Sequence, residues 1–167
     1  GEYNQRRIEC EKAVRLLSAH VPGIRSLRDV RLADFNRFSG QLPAVIEKRA
    51  RHVVEEIERT TQARELLEQG DIVRFGQLMN ACHASLRDLY EVSSFELNTM
   101  VGIAQSLPGC LGARLTGAGF GGCTVNLVEF SHATDFSRSL KERYQAITGL
   151  VPEIYVTQAS NGAGLVR

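Results

Sequence analysis

The stretch Gly112–Phe130, GARLTGAGFGGCTVNLVEF, constrains this chain more than any other. β-favouring residues on both sides are interrupted by Gly117-Ala118-Gly119-Phe120-Gly121-Gly122. Glycine reaches positive φ at low steric cost and lets the backbone approach another group closely. Such a loop can aim amide N–H groups at an anion or a sugar hydroxyl, or tuck against a neighbouring loop. The spacing also fits Gly-x-Gly-x-x-Gly. A dinucleotide-binding fingerprint needs a helix that opens directly after the last glycine. Cys123-Thr124-Val125-Asn126-Leu127-Val128 follows instead, and these residues read as strand. Strand–loop–strand is the wrong context, and the dinucleotide reading is set aside.

Ahead of this stretch the chain reads as helical. Ile8, Cys10, Ala13, Val14 and Leu17 make an apolar stripe that stops before Pro22-Gly23. A long helix is expected from about Pro43 to Gln69, with Gly70 as its C-terminal cap and Asp71 starting the next. That next helix carries Ile72, Phe75, Met79, Cys82, Leu86 and Leu89 on one side. Ser93 with Glu96 makes a capping-box pattern for a helix that ends at Pro108-Gly109. The last third changes period. Strands are expected over Leu111–Thr116, Cys123–Phe130 and Glu153–Ala159, with an amphipathic helix through Ala133, Phe136, Leu140, Tyr144 and Ile147. Asn161-Gly162 suits a type I′ turn, with Ala163–Val166 as a short returning strand. The pattern is α+β, an antiparallel sheet with helices on one side.

With 167 residues the chain suits one domain, residues 1–167, with a sizeable core. A net charge of +1 supports neither a nucleic-acid nor a membrane partner. Cys10, Cys82, Cys110 and Cys123 lack Cys-x-x-Cys spacing and read as free, small buried side chains of a cytosolic protein. His20, His52, His83 and His132 show no metal-type spacing, so no metal site is expected. The cluster Lys48, Arg49, Arg51 and His52 looks like a phosphate grip, but on a helix it reads as a solvated face. Phe120 is expected to anchor the glycine loop by burying its ring.

The run Arg114-Leu115-Thr116-Gly117-Ala118-Gly119-Phe120-Gly121-Gly122-Cys123 resembles the third signature motif of the GHMP kinases, in its galactokinase form. The resemblance extends to Tyr3–Glu11, Arg49–Thr60, Ser85–Leu97 and Ile154–Gly164, in the right order. It covers only the C-terminal portion of such enzymes. The family's N-terminal sugar signature and its Pro-x-x-x-Gly-Leu-Ser-Ser phosphate loop are not in these residues.

The resemblance implies a ferredoxin-like α+β C-terminal domain of a longer two-domain enzyme. It implies transfer of the ATP γ-phosphoryl group to the C1 hydroxyl of galactose. Tyr3 would place its hydroxyl on the sugar. Gly117, Ala118, Gly119, Phe120, Gly121 and Gly122 would abut the phosphate loop and support the active site. The catalytic Asp and Arg, the Mg²⁺ ligands and most ATP contacts would belong to an N-terminal kinase domain. No catalytic residue is expected in this chain, which would be inactive alone. The alternatives left open are a related N-acetylgalactosamine kinase, a sugar and ATP sensor with little turnover, and a stand-alone module that binds another protein.

Overall fold

The computed structural model describes residues 1–160 and 162. Its helices are α1 (Glu2–Leu17), α2 (Leu32–Phe38), α3 (Ala44–Glu68), α4 (Ile72–Ser85), α5 (Phe95–Ser106) and α6 (Ala133–Thr148). Strands β1 (Cys110–Thr116) and β2 (Cys123–Val128) form an antiparallel pair with Thr116 opposite Cys123. The α+β class holds.

Local chemistry explains the boundaries. Pro43 caps α3, where a residue with fixed φ suits a helix start. The Asp71 carboxylate accepts the Arg74 N–H and caps α4. The cap of α5 is Ser94, which accepts from Leu97 N–H, one residue later than the Ser93–Glu96 pattern implied. Ser93 instead donates to Asn98 Oδ1. Gly149, at φ 73°, ends α6 in the left-handed region that favours glycine.

Two apolar clusters make the core. Ala13, Leu17, Phe35, Ile46, Ala50 and Val54 join α1, α2 and α3. Val101, Ala104, Ala113, Phe136, Leu140 and Tyr144 join α5, β1 and α6. Between them α4 lies against β1. A Cβ on Gly76 would sit 2.2 Å from the Leu111 carbonyl oxygen, and one on Gly112 would sit 2.3 Å from that of Gly76. Only glycine at both positions permits this approach. Asn80 Oδ1 then accepts Ala113 N–H at 2.8 Å and His83 Nδ1 accepts Leu115 N–H at 3.3 Å, so α4 side chains cover the strand edge.

The strand expected over Glu153–Ala159 does not form. A strand needs a ladder partner, and among the described residues the sheet has two strands. Residues 151–156 lie beside Ser137, Arg138 and Lys141 of α6, with Ile154 packed on the core and Tyr155 exposed. Asn161 of the expected turn and the expected Ala163–Val166 strand lie outside the described residues.

Candidate functional site

The glycine loop is a six-residue bridge between the paired ends of β1 and β2. Gly117, Gly119, Phe120, Gly121 and Gly122 all have positive φ, from 60° at Phe120 to 129° at Gly121. Phe120 is the costly member, because its side chain disfavours that region. Its N–H donates to the Val92 carbonyl oxygen at 2.6 Å. Gly119 lies over the same oxygen, so closely that a Cβ would come within 2.2 Å. The expectation that Phe120 anchors the loop by burying its ring is corrected: the ring stays 39% exposed and the backbone makes the anchor. Cys123 is exposed rather than buried, because it opens β2 at the loop's mouth.

Helix α1 brings Tyr3 to the same end of the molecule. Tyr3 and Arg6 are three residues apart and share a helix face. The Arg6 guanidinium carbon stands 5.7 Å from the Phe120 ring centroid, within cation–π range. Tyr3 is 61% exposed, so its phenol is free to meet a ligand. The phenol of Tyr90 is pushed up, first by burial and then by neighbouring Cys10 and Tyr3. Arg6, on the α1 face that also carries Tyr3, is thus the side chain that meets the glycine loop.

Beneath the loop lies a corner built from the end of α4. The helix widens into a π turn over Leu86–Tyr90, and Glu91 reverses the chain in the left-handed region at φ 54° and ψ 50°. Two arginines take the carbonyls left open at this helix end. Arg49 Nη1 donates to Leu89 O at 2.6 Å, Arg6 Nε to Tyr90 O at 2.6 Å, and Arg6 Nη2 to Glu91 O at 2.7 Å. Arg49 also pairs with Glu9 at 2.9 Å and with the Glu91 carboxylate at 2.7 Å, which Lys48 approaches at 3.3 Å. Hydrogen bonding from Arg49 is the chief reason the Glu91 carboxyl is held below its ordinary range. At Glu9 burial opposes the charge, but bonds from Gln5 and Arg49 outweigh it and hold this carboxyl low as well.

The solvated-face reading of Lys48, Arg49, Arg51 and His52 is thus corrected for two members. Arg49 is 4% and His52 5% exposed. Arg49 lies three residues after Ile46 and beside Ala50, on the stripe that α3 turns toward the core. That position was the signal available in the sequence. His52 stacks on Tyr90 with centroids 4.5 Å apart, and its Nδ1 lies 2.8 Å from Ser85 Oγ. Burial lowers its pKa to about 4, so the ring is neutral at pH 7. Burial and the bond to Glu56 push the Cys82 thiol up to about 12, so it supplies no thiolate. No group of His, Cys, Asp or Glu able to hold a metal ion occurs among the described residues. The assembly offers shape, a phenol and cationic side chains, with the exposed Cys123 at the loop's mouth.

The family described as GHMP kinases C terminal matches residues 63–146, half of the chain, including the glycine loop. The chain belongs to this family. Similarity to known proteins extends beyond the matched span. Galactokinase from Roseiflexus sp. (strain RS-1) is 52% identical over 164 residues, covering 98% of this chain and 42% of the relative. Galactokinase from Enterococcus faecalis is 44% identical, again over 98% of this chain and 42% of the relative. The crystal structure of Lactococcus lactis galactokinase complexed with galactose superposes with a TM-score of 0.85 at 37% identity. That match covers 90% of this chain and 39% of the other. The chain therefore spans about two-fifths of the length of the relatives it matches. Tyr3, Arg6 and Arg49 lie ahead of the matched family span, while Glu91 and the loop lie within it.

Proposed function

We propose that residues 1–167 form the C-terminal domain of a galactokinase, which transfers the γ-phosphoryl group of ATP to the C1 hydroxyl of galactose. The observation that carries this reading is similarity along nearly the whole chain to galactokinases, one of them solved with galactose.

In this reading the exposed Tyr3 phenol, able both to donate and to accept, bonds a galactose hydroxyl. Gly117–Gly122 braces the phosphate loop of the N-terminal kinase domain across the cleft. Phosphoryl transfer depends on positioning and charge stabilisation more than on covalent chemistry by the protein. A loop held by a buried anchor suits such a positioning role. The magnesium ligands, the nucleophile-orienting groups and most ATP contacts belong, in this proposal, to the N-terminal kinase domain. The four cysteines are free, which suits a reducing cytoplasm. No described helix is long and apolar enough to cross a membrane.

The test is ADP release by the full-length enzyme with ATP and each of galactose, N-acetylgalactosamine and no sugar. Release that depends on galactose is expected. A preference for N-acetylgalactosamine would replace the proposal with the related kinase, tight binding of galactose and ATP with no turnover with the sensor, and neither binding nor turnover with the protein-binding module.

A further inference from the structure

We propose that the Arg49–Glu91 ion pair is a clamp that sets the position of the glycine loop, which makes Glu91 a positioning residue for phosphoryl transfer. The inference rests on the reading of that loop as support for the active site.

Among the described residues, the loop's backbone tie to the rest of the chain is the bond from Phe120 N–H to Val92 O. The close approach of Gly119 to the same oxygen leaves no slack. The height of the loop therefore follows the position of one carbonyl. Val92 is 2% exposed and directly follows Glu91, whose left-handed backbone fixes where that carbonyl points. A non-glycine residue in this region persists only when its surroundings over-determine it. The surroundings are Arg49 and Lys48 on the carboxylate, Arg6 on the carbonyl, and Leu86 O, which accepts the Glu91 and Val92 N–H groups. Arg49 is itself fixed by Glu9, so the corner is referred to both α1 and α3.

Capping of the helix end accounts for part of this arrangement. Arg6 and Arg49 satisfy carbonyls that any helix terminus leaves open. Capping gives no reason for a glutamate at position 91. Glycine would enter the left-handed region without strain, and the Glu91 carboxylate caps nothing. Its bonds tie the corner to two cations of α3. Arg6 extends the device, because its guanidinium bonds the corner and also lies against the Phe120 ring.

The experiment compares Glu91→Gly and Glu91→Gln with wild type in the full-length enzyme. Glycine removes the carboxylate and relieves the backbone, so the melting temperature is expected to hold or rise. Hydrogen exchange of the Phe120 amide is expected to quicken about tenfold while β1 amides stay protected, because local opening is separable from global unfolding. The kcat is expected to fall by about tenfold or more, with KM for galactose within about twofold, the pattern of a lost transition-state interaction. Glu91→Gln, which still accepts a bond from Arg49, is expected to recover most of the exchange protection and of kcat. Unchanged Phe120 exchange in Glu91→Gly overturns the clamp, whatever happens to kcat. Faster exchange with unchanged kcat establishes the clamp and instead overturns the catalytic role of the loop.

Discussion

Gly119 and Gly121 are two residues apart in one loop, both at positive φ, and they should respond very differently to alanine. At Gly121, with φ 129°, a Cβ meets nothing within 4 Å. Gly121→Ala therefore incurs backbone strain alone, about 1–3 kcal/mol. At Gly119, with φ 81°, the same strain applies, but the new Cβ would lie 2.2 Å from Val92 O and 2.8 Å from Val92 Cβ. Val92 is buried and cannot swing aside. Overpacking adds about 1–3 kcal/mol. If the loop lifts to escape it, the Phe120 N–H bond is lost instead, about 0.5–1.5 kcal/mol. Gly119→Ala should thus cost at least about 0.5 and up to about 3 kcal/mol more than Gly121→Ala. In a chain of this size that is a difference in melting temperature of about 1–12 °C. Scanning calorimetry of both variants measures it, and turnover in the full-length enzyme shows which escape the loop takes. A lifted loop gives a small thermal penalty with a large loss of kcat, whereas a crushed contact gives the reverse. Equal melting temperatures combined with equal turnover would refute the claim that Val92 is the anchor.

In the full-length enzyme Tyr3→Phe should weaken galactose by about two- to twelve-fold, the equivalent of one neutral hydrogen bond, and leave ATP affinity alone; calorimetric titration with each ligand decides this, and unchanged galactose affinity would remove Tyr3 from the sugar site. His52, held near 4 by burial, ionises near 6.5 once unfolded. The unfolded chain then binds the extra proton, so this contribution is complete above pH 6.5 and is lost as pH falls toward 4. Urea unfolding at pH 7.5 and pH 5 should show a loss of about 2 kcal/mol in wild type that shrinks in His52→Gln, and an identical loss in both would contradict a neutral buried ring. Gly112→Ala places a Cβ 2.3 Å from Gly76 O and should cost about 1–3 kcal/mol by forcing α4 from β1; an unchanged melting temperature would show that the two elements separate freely.

What could be read from the sequence is what repeats or punctuates. The stripe through Ile46, Ala50 and Val54 located α3, and Gly70-Asp71 located the junction with α4, because helical period and cap chemistry are local properties. The expected strand over Glu153–Ala159 failed for the opposite reason. Alternating apolar residues show that a segment suits a ladder, but not that a partner stands beside it. The short α2 went unread because seven residues are too few for a helical period to show. Its Phe35 is nevertheless fully buried in the core.

The candidate site divides along the same line. Glycines at 117, 119, 121 and 122 announced a loop of positive φ, and all four adopt it. The two non-glycine residues that do so among the described residues, Glu91 and Phe120, carried no such announcement. Propensity places neither glutamate nor phenylalanine in the left-handed region, so their conformations come from tertiary contacts alone. Conflicts between local preference and final structure concentrate at functional sites, and these two residues flank a single hydrogen bond, Phe120 N–H to Val92 O. Arg49 escaped for a related reason. Beside Lys48 and Arg51 it reads as one more surface charge, and only the fold brings Glu9 from α1 and Glu91 from beyond α4 to meet it. The buried pair is Arg49 with Glu9, where removing one partner costs about 3–5 kcal/mol. Glu91 is half exposed, and the two carboxylates stand 40 and 42 positions from Arg49 in the chain. A loop recognisable from its glycines is thus held in place by residues that become recognisable only when strained backbone and buried charge are considered together.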